Sequence, residues 1–230
     1  MSHNAIDPTK AALLDAILPH VAFDGWSPKA FQLAVQEVGA DNPAAVCPRG
    51  AVDLAIAFHR RGDAAMVAAL AASDLSDMRF RNKVATAIRL RLAAVPDKEA
   101  VRRGTTLFAV PHMAADGTKL IWGTADAIWT ALGDTSQDAN WYSKRMTLSA
   151  VYASVVLYWL GDDSLDGQAT DAFIDRRIDD VMQFEKVKAQ VKANPLFKPL
   201  TGPLGRILAG VKAPSHAVRD DLPGIWNDPQ

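Results

Sequence analysis

From Met146 to Leu160 the chain carries no charged residue and offers no polar face (MTLSAVYASVVLYWL). Met146, Leu148, Val151, Tyr152, Val155, Val156, Tyr158, Trp159 and Leu160 nearly encircle a helix drawn on this stretch, so it must be buried on almost every side. The run falls short of the roughly 20 apolar residues that span a bilayer. Its cover has to be other helices. A strip of small residues, Ser149, Ala150, Ala153 and Ser154, interrupts the bulk and allows either close helix packing or a cavity beside the helix.

The rest of the chain supplies that cover. Nearly half of the 230 residues are apolar, Ala is abundant and β-branched clusters are few, which predicts an all-α fold. Asp7-Pro8 and Ser27-Pro28 are helix starts, with a capping side chain followed by Pro in the first turn. Helical spacing then predicts Lys10 to Val21, a helix from Pro28 through Val38, Ala51 to Arg61, Asp63 to Ala72, Ser76 to Ala94, Lys98 to Val110, Gly117 to Leu132 and Asp171 to Val191. The cations Arg79, Arg81, Lys83, Arg89 and Arg91 read as a charged outer face. Asp126, near Trp122 and Trp129, reads equally as a functional carboxylate or as an exposed residue on the far face.

The opening helices have the rhythm of a helix-turn-helix unit, which raises a DNA-binding regulator acting through residues 10–61 as an alternative. Charge argues against it. Lys10, Lys29, Arg49, Arg60 and Arg61 are matched by Asp7, Asp15, Asp24, Glu37, Asp41 and Asp53, leaving no cationic surplus for phosphates. Where a recognition helix would offer base-reading side chains, the chain has Asn42-Pro-Ala-Ala-Val-Cys-Pro48. The net charge of −1 gives no global pull toward nucleic acid. No nucleic-acid partner is expected.

No catalytic pattern emerges either. There is no Gly-rich phosphate loop, no Gly-x-Ser-x-Gly elbow and no His or Cys pair at metal-ligand spacing. The three glutamates, Glu37, Glu99 and Glu185, cannot supply a carboxylate-bridged di-iron centre. No catalytic residue, metal or cofactor is expected. The single Cys47 reads as a buried small hydrophobe and fits a reducing compartment. The first residues, MSHNAIDPTK, carry no apolar signal core, so a cytoplasmic location is expected.

Past the long helices the charge pattern changes. No acid occurs between Lys186 and Arg219, while Lys186, Lys188, Lys192, Lys198, Arg206 and Lys212 are cationic. Leu204, Ile207, Leu208 and Val211 share one face of a short helix there, which predicts contact with an anionic membrane surface. An arm docked on the domain or on a twin subunit is the other reading. Three regions follow: 1–62 helix-turn-helix-like, 63–193 a helical core, which the resemblance given next implies to be lipid-binding, and 194–230 an amphipathic membrane-contacting helix and tail.

Several segments carry a family resemblance: Phe23-Asp24-Gly25-Trp26, Arg89-Leu90-Arg91, Asp138-x-Asn140-Trp141-Tyr142-Ser143-Lys144-Arg145, Val151-Tyr152-x-Ser154 and Phe173-Ile174-Asp175-Arg176-Arg177-Ile178. Together they resemble the accessory family of ubiquinone biosynthesis, the ninth protein of the coenzyme Q set. The Asn-Trp-Tyr stretch is the most specific. The resemblance implies a homodimeric TetR-like helical fold that has lost DNA binding, an apolar pocket for isoprenoid lipid or phospholipid, and a membrane-touching C-terminal helix. It also implies a partner, the di-iron hydroxylase of demethoxyubiquinone. Carried over by residue, Trp141, Tyr142, Asp126, Ile128 and Leu90 would form the hydroxylase surface. Arg145 and Lys144 would meet a lipid headgroup, with Ser149, Tyr152, Ala153 and Val156 along the lipid. Mitochondrial relatives carry a leader that is not seen here, which implies a peripheral protein of the bacterial inner membrane.

Overall fold

The structure, a computed structural model, describes residues 6–95, 97–137 and 139–193, with side chains described as far as residue 183. Nine α-helices and one short 3-10 turn make up the described residues, and no strand occurs among them. The expected all-α class holds. The predicted membrane helix with Leu204, Ile207, Leu208 and Val211 lies outside the described residues.

The first three helices are α1 (Pro8–Asp24), α2 (Pro28–Val38) and α3 (Pro43–Val46). Asp7 caps α1 by accepting from the Thr9 and Lys10 amides, and Ser27 caps α2 by accepting from the Ala30 amide. Gly39 closes α2 in the left-handed conformation at φ 68°, where a Cβ would be strained. The two prolines near Cys47 limit α3 to a single turn, as expected of that stretch.

α4 (Ala51–Ala72) corrects the predicted break at residue 62: it is one helix, not two. Gly62 interrupts the sequence pattern because the Arg91 guanidinium occupies the place of its side chain. A Cβ there would lie 2.6 Å from Arg91 Nη1. The first half of α4 joins α1 and α2 in one apolar cluster with Leu13, Leu14, Ile17, Trp26 and Leu54. Its second half enters a larger cluster through Met66 and Leu70.

That larger cluster is built by α5 (Phe80–Ala93), α7 (Ala114–Ala131), α8 (Ala139–Leu160) and α9 (Gln168–Ala193), with α6 (Lys98–Phe108) along its flank. Asp97 caps α6, and Trp26 donates to the Ala100 carbonyl at 3.1 Å, joining α6 to the N-terminal cluster. The uncharged run lies inside α8, with Leu148, Val151, Tyr152, Val155, Val156 and Leu160 buried. The cations of α5 do more than coat a surface. Arg89 pairs with Asp171 at 2.9 Å and Asp175 at 3.1 Å, and Arg81 pairs with Asp179, so the row joins α5 to α9. Arg91 leaves the row altogether and is buried.

Candidate functional site

Beside α8 lies a cavity of about 750 Å³. One wall is α8, through Ser149, Ala150, Tyr152, Ala153 and Val156. Three of the four small residues, Ser149, Ala150 and Ala153, therefore face empty space rather than a tightly packed neighbour. α4, α6 and α7 close the other sides with Phe58, Phe108, Ile121 and Trp122 among their contributions. Met146 and Leu157 also line it, each 63% exposed, so the cavity reaches the surface at an apolar rim. A solvated cleft would not hold such side chains at its edge without cost. The space suits an apolar chain.

Where His59, Arg91 and Tyr152 line this cavity its wall is polar, with Asp63 and Thr124 behind them. Arg91 donates from Nε to Asp63 Oδ1 at 2.6 Å and from Nη2 to the His59 carbonyl at 3.0 Å. Thr124 lies between, donating to Asp63 Oδ1 at 2.9 Å, with His59 Nε2 2.8 Å from its hydroxyl. The Tyr152 ring packs 5.9 Å from the Arg91 guanidinium carbon. Burial drives the His59 imidazole down to about 4, with Asp63 opposing and Arg91 reinforcing the shift. Burial likewise pushes the Tyr152 phenol up to about 12. At neutral pH the cluster thus holds one ion pair and two uncharged rings.

This cluster was missed in the sequence. Its signal was nonetheless present. Val84, Ile88 and Arg91 follow one another at helical spacing on the buried face of α5, and His59 and Asp63 stand four residues apart on α4.

The Asn140–Arg145 stretch is the first turns of α8, folded onto α7 and the turn that follows it. Arg145 bonds Asp126 Oδ1 at 2.6 Å and Asp134 Oδ2 at 3.0 Å, and its guanidinium lies 3.8 Å from the Trp141 ring centre. Lys144 reaches the same Asp134 at 2.8 Å. Burial opposes the charge on Asp134, but bonds from Lys144, Ser136 and Arg145 hold its carboxyl well below the usual range. Trp141 contacts Tyr142 edge-on at 4.8 Å and Trp122 at 5.9 Å.

Several expected roles change accordingly. Arg145 is 2% exposed and bonded to two carboxylates, so it is not a surface cation awaiting a headgroup. Trp141 at 8% and Ile128 at 0% are interior residues, not an exposed partner surface. The physical reason is the fold of α8 onto α7, which encloses the indole between rings and guanidinium. Tyr142 is half-buried, Leu90 is half-buried against the main core, and Asp126 keeps part of its side chain in solvent. Of the six residues expected to bind lipid, Ser149, Tyr152, Ala153 and Val156 line the large cavity. Lys144 instead lines a second cavity of about 370 Å³ with Phe80, Trp129 and Leu148, and Arg145 lines neither.

Among the described residues, no group of three His, Cys, Asp or Glu side chains is arranged to hold a metal ion, and no helix is long and apolar enough to cross a membrane.

A helical body of this form, with an apolar cavity against the uncharged part of its long helix α8, has the TetR-like fold. A TetR transcriptional regulator from Nitrosomonas europaea superimposes with a TM-score of 0.61, covering 75% of this chain and 97% of that one at 16% identity. That likeness is one of fold alone. In sequence the resemblance is to the COQ9 family, whose family model matches residues 114–185. The probable ubiquinone biosynthesis protein coq9 of Dictyostelium discoideum is 29% identical over 192 residues, and the human ubiquinone biosynthesis protein COQ9 is 26% identical over 193. These matches take in 80% and 79% of this chain but only 62% and 60% of those relatives' lengths.

Proposed function

We propose that this chain is a non-catalytic lipid-binding accessory protein of ubiquinone biosynthesis. Its large cavity holds the apolar part of an isoprenoid quinone intermediate or of a phospholipid. It presents that substrate at the membrane to the demethoxyubiquinone hydroxylase, and acts as a homodimer. The observation that carries the reading is the roughly 750 Å³ apolar cavity, whose α8 wall lies inside the segment that matches the COQ9 family. The relatives' names support the pathway, and the cavity supports lipid binding as the mode of action. Half-buried Tyr142 and part-exposed Asp126 stand beside the buried Trp141 stack and leave a hydroxylase something to touch.

A DNA-binding role rests on the TetR-like fold only. Three of the five N-terminal cations are already engaged: Lys29 with Asp24, Arg49 with Asp53 and Asp116, and Arg61 with Asp15. Phosphates would have to displace those acids.

Organic extraction and mass spectrometry of the protein purified from its native host tests the proposal. An isoprenoid quinone or phospholipid at near-stoichiometric yield is expected, with lowered ubiquinone in a deletion strain. Recovery of no lipid, together with normal ubiquinone in that strain, would overturn it.

A further inference from the structure

The polar part of the cavity wall has capacity that an apolar chain cannot use. Arg91 is 3% exposed and belongs to the cavity wall, yet its described bonds engage only Nε and Nη2. A guanidinium carries five N–H groups, so donor capacity remains for an acceptor in the cavity that Arg91 lines. The group is also fixed in position. Asp63 and the His59 carbonyl hold one edge, and Gly62 of α4 lies so close behind Nη1 that a Cβ would come within 2.6 Å. A second polar atom on the same lining, Ser149 Oγ, is buried without a hydrogen-bond partner.

The charge balance selects what can satisfy these donors. Asp63 already neutralises Arg91, while His59 and Tyr152 are uncharged at neutral pH. A carboxylate or phosphate entering here would bring an unmatched negative charge beside Asp63 into a poorly solvated space, which is strongly unfavourable. A neutral acceptor oxygen satisfies the donors and adds no charge.

We propose that Arg91, fixed by Asp63 and seconded by Ser149, forms a headgroup subsite for an uncharged carbonyl oxygen of a quinone or ester type. The tail of the ligand runs from there along Ala153 and Val156 of α8. The inference rests on the large cavity being a lipid site, as proposed above.

Three ring compounds with one shared tail separate the possibilities: decylbenzoquinone, decylbenzene and decylbenzoic acid. Each is titrated against the full chain at neutral pH, following displacement of one polarity-sensitive dye from the cavity. Decylbenzoquinone is expected to bind about tenfold tighter than decylbenzene, the worth of one hydrogen bond to a charged donor. Decylbenzoic acid is expected to bind no tighter than decylbenzene. The paired change Arg91→Met with Asp63→Asn leaves no charge unmatched, and should bring quinone and hydrocarbon to equal affinity. Equal affinities in the unaltered chain, or tightest binding of the acid, would overturn the subsite while leaving the cavity a lipid site. Displacement by none of the three would overturn the cavity reading itself. The ranking in the unaltered chain decides the matter even where the paired variant does not fold.

Discussion

The guanidinium of Arg145 stacks 3.8 Å from the centre of the Trp141 ring while bonding Asp126 and Asp134 on its edges. Removing one member leaves the others stranded. Arg145→Ala would leave the Asp134 side chain, 3% exposed, facing only Lys144 and Ser136. We expect a loss of about 3–5 kcal/mol in urea denaturation. Trp141→Ala should cost a similar amount, about 3–5 kcal/mol, through the lost indole and its stack. A Trp141→Lys protein that unfolds at the same urea concentration as the original would contradict the buried stack.

His59 makes stability depend on mild acid. Its ordinary value of 6.5 is lowered to about 4 in the fold, so between those pH values only the unfolded chain takes up this proton. The contribution is fully present above 6.5, falls as pH drops toward 4, and changes no further below that. Its total is at most roughly 3 kcal/mol. Asp63 and Arg91, which face the ring, act in opposite senses on it. His59→Gln should flatten this part of the stability–pH profile, measured by denaturation at a series of pH values. An unchanged slope would assign the dependence to other groups.

Gly62→Ala ought to stabilise an ordinary helix interior by about 1 kcal/mol. Here the methyl would meet the Arg91 guanidinium, which its bonds to Asp63 and the His59 carbonyl hold in place. A net loss of about 1–3 kcal/mol is expected from thermal melts. A raised melting temperature would show that the guanidinium gives way cheaply.

Ala153→Phe places a ring into the large cavity without displacing packed neighbours. Bound lipid in extracts should fall to background while stability holds or rises by about 0.5–2 kcal/mol. Undiminished lipid recovery would place the ligand elsewhere.

Cys47 is 2% exposed, and burial raises its thiol above the ordinary value. Its reaction with an aromatic disulfide reagent should therefore wait for opening of the N-terminal helices, and urea below the unfolding transition should accelerate it. Immediate reaction in native buffer would contradict the packing around α3.

Much of this arrangement could be read from residue order. The caps at Asp7 and Ser27, the all-round burial of Met146–Leu160 and the small residues facing a cavity follow from local chemistry and helical periodicity. What escaped was pairing across helices. Gly62 looked like a break because the guanidinium that fills its place comes from α5, far along the chain. Trp141 and Arg145 looked like a surface because aromatic and charged residues at a helix start usually meet water, and their partners Asp126 and Asp134 precede them on another element. Arg91 stands beside Arg89 in the sequence, although one side chain reaches solvent-facing acids and the other a largely enclosed one.

Fastening and containment fall on different turns of α8. The bonds that tie it to α7 and the following turn are made at Lys144 and Arg145, with Trp141 packed on Trp122, whereas the wall of the large cavity begins at Met146 and continues to Trp159. Substitutions in the later turns can therefore resize or reshape the compartment without loosening the anchorage. A chain built this way can change which molecule it carries and keep the same frame.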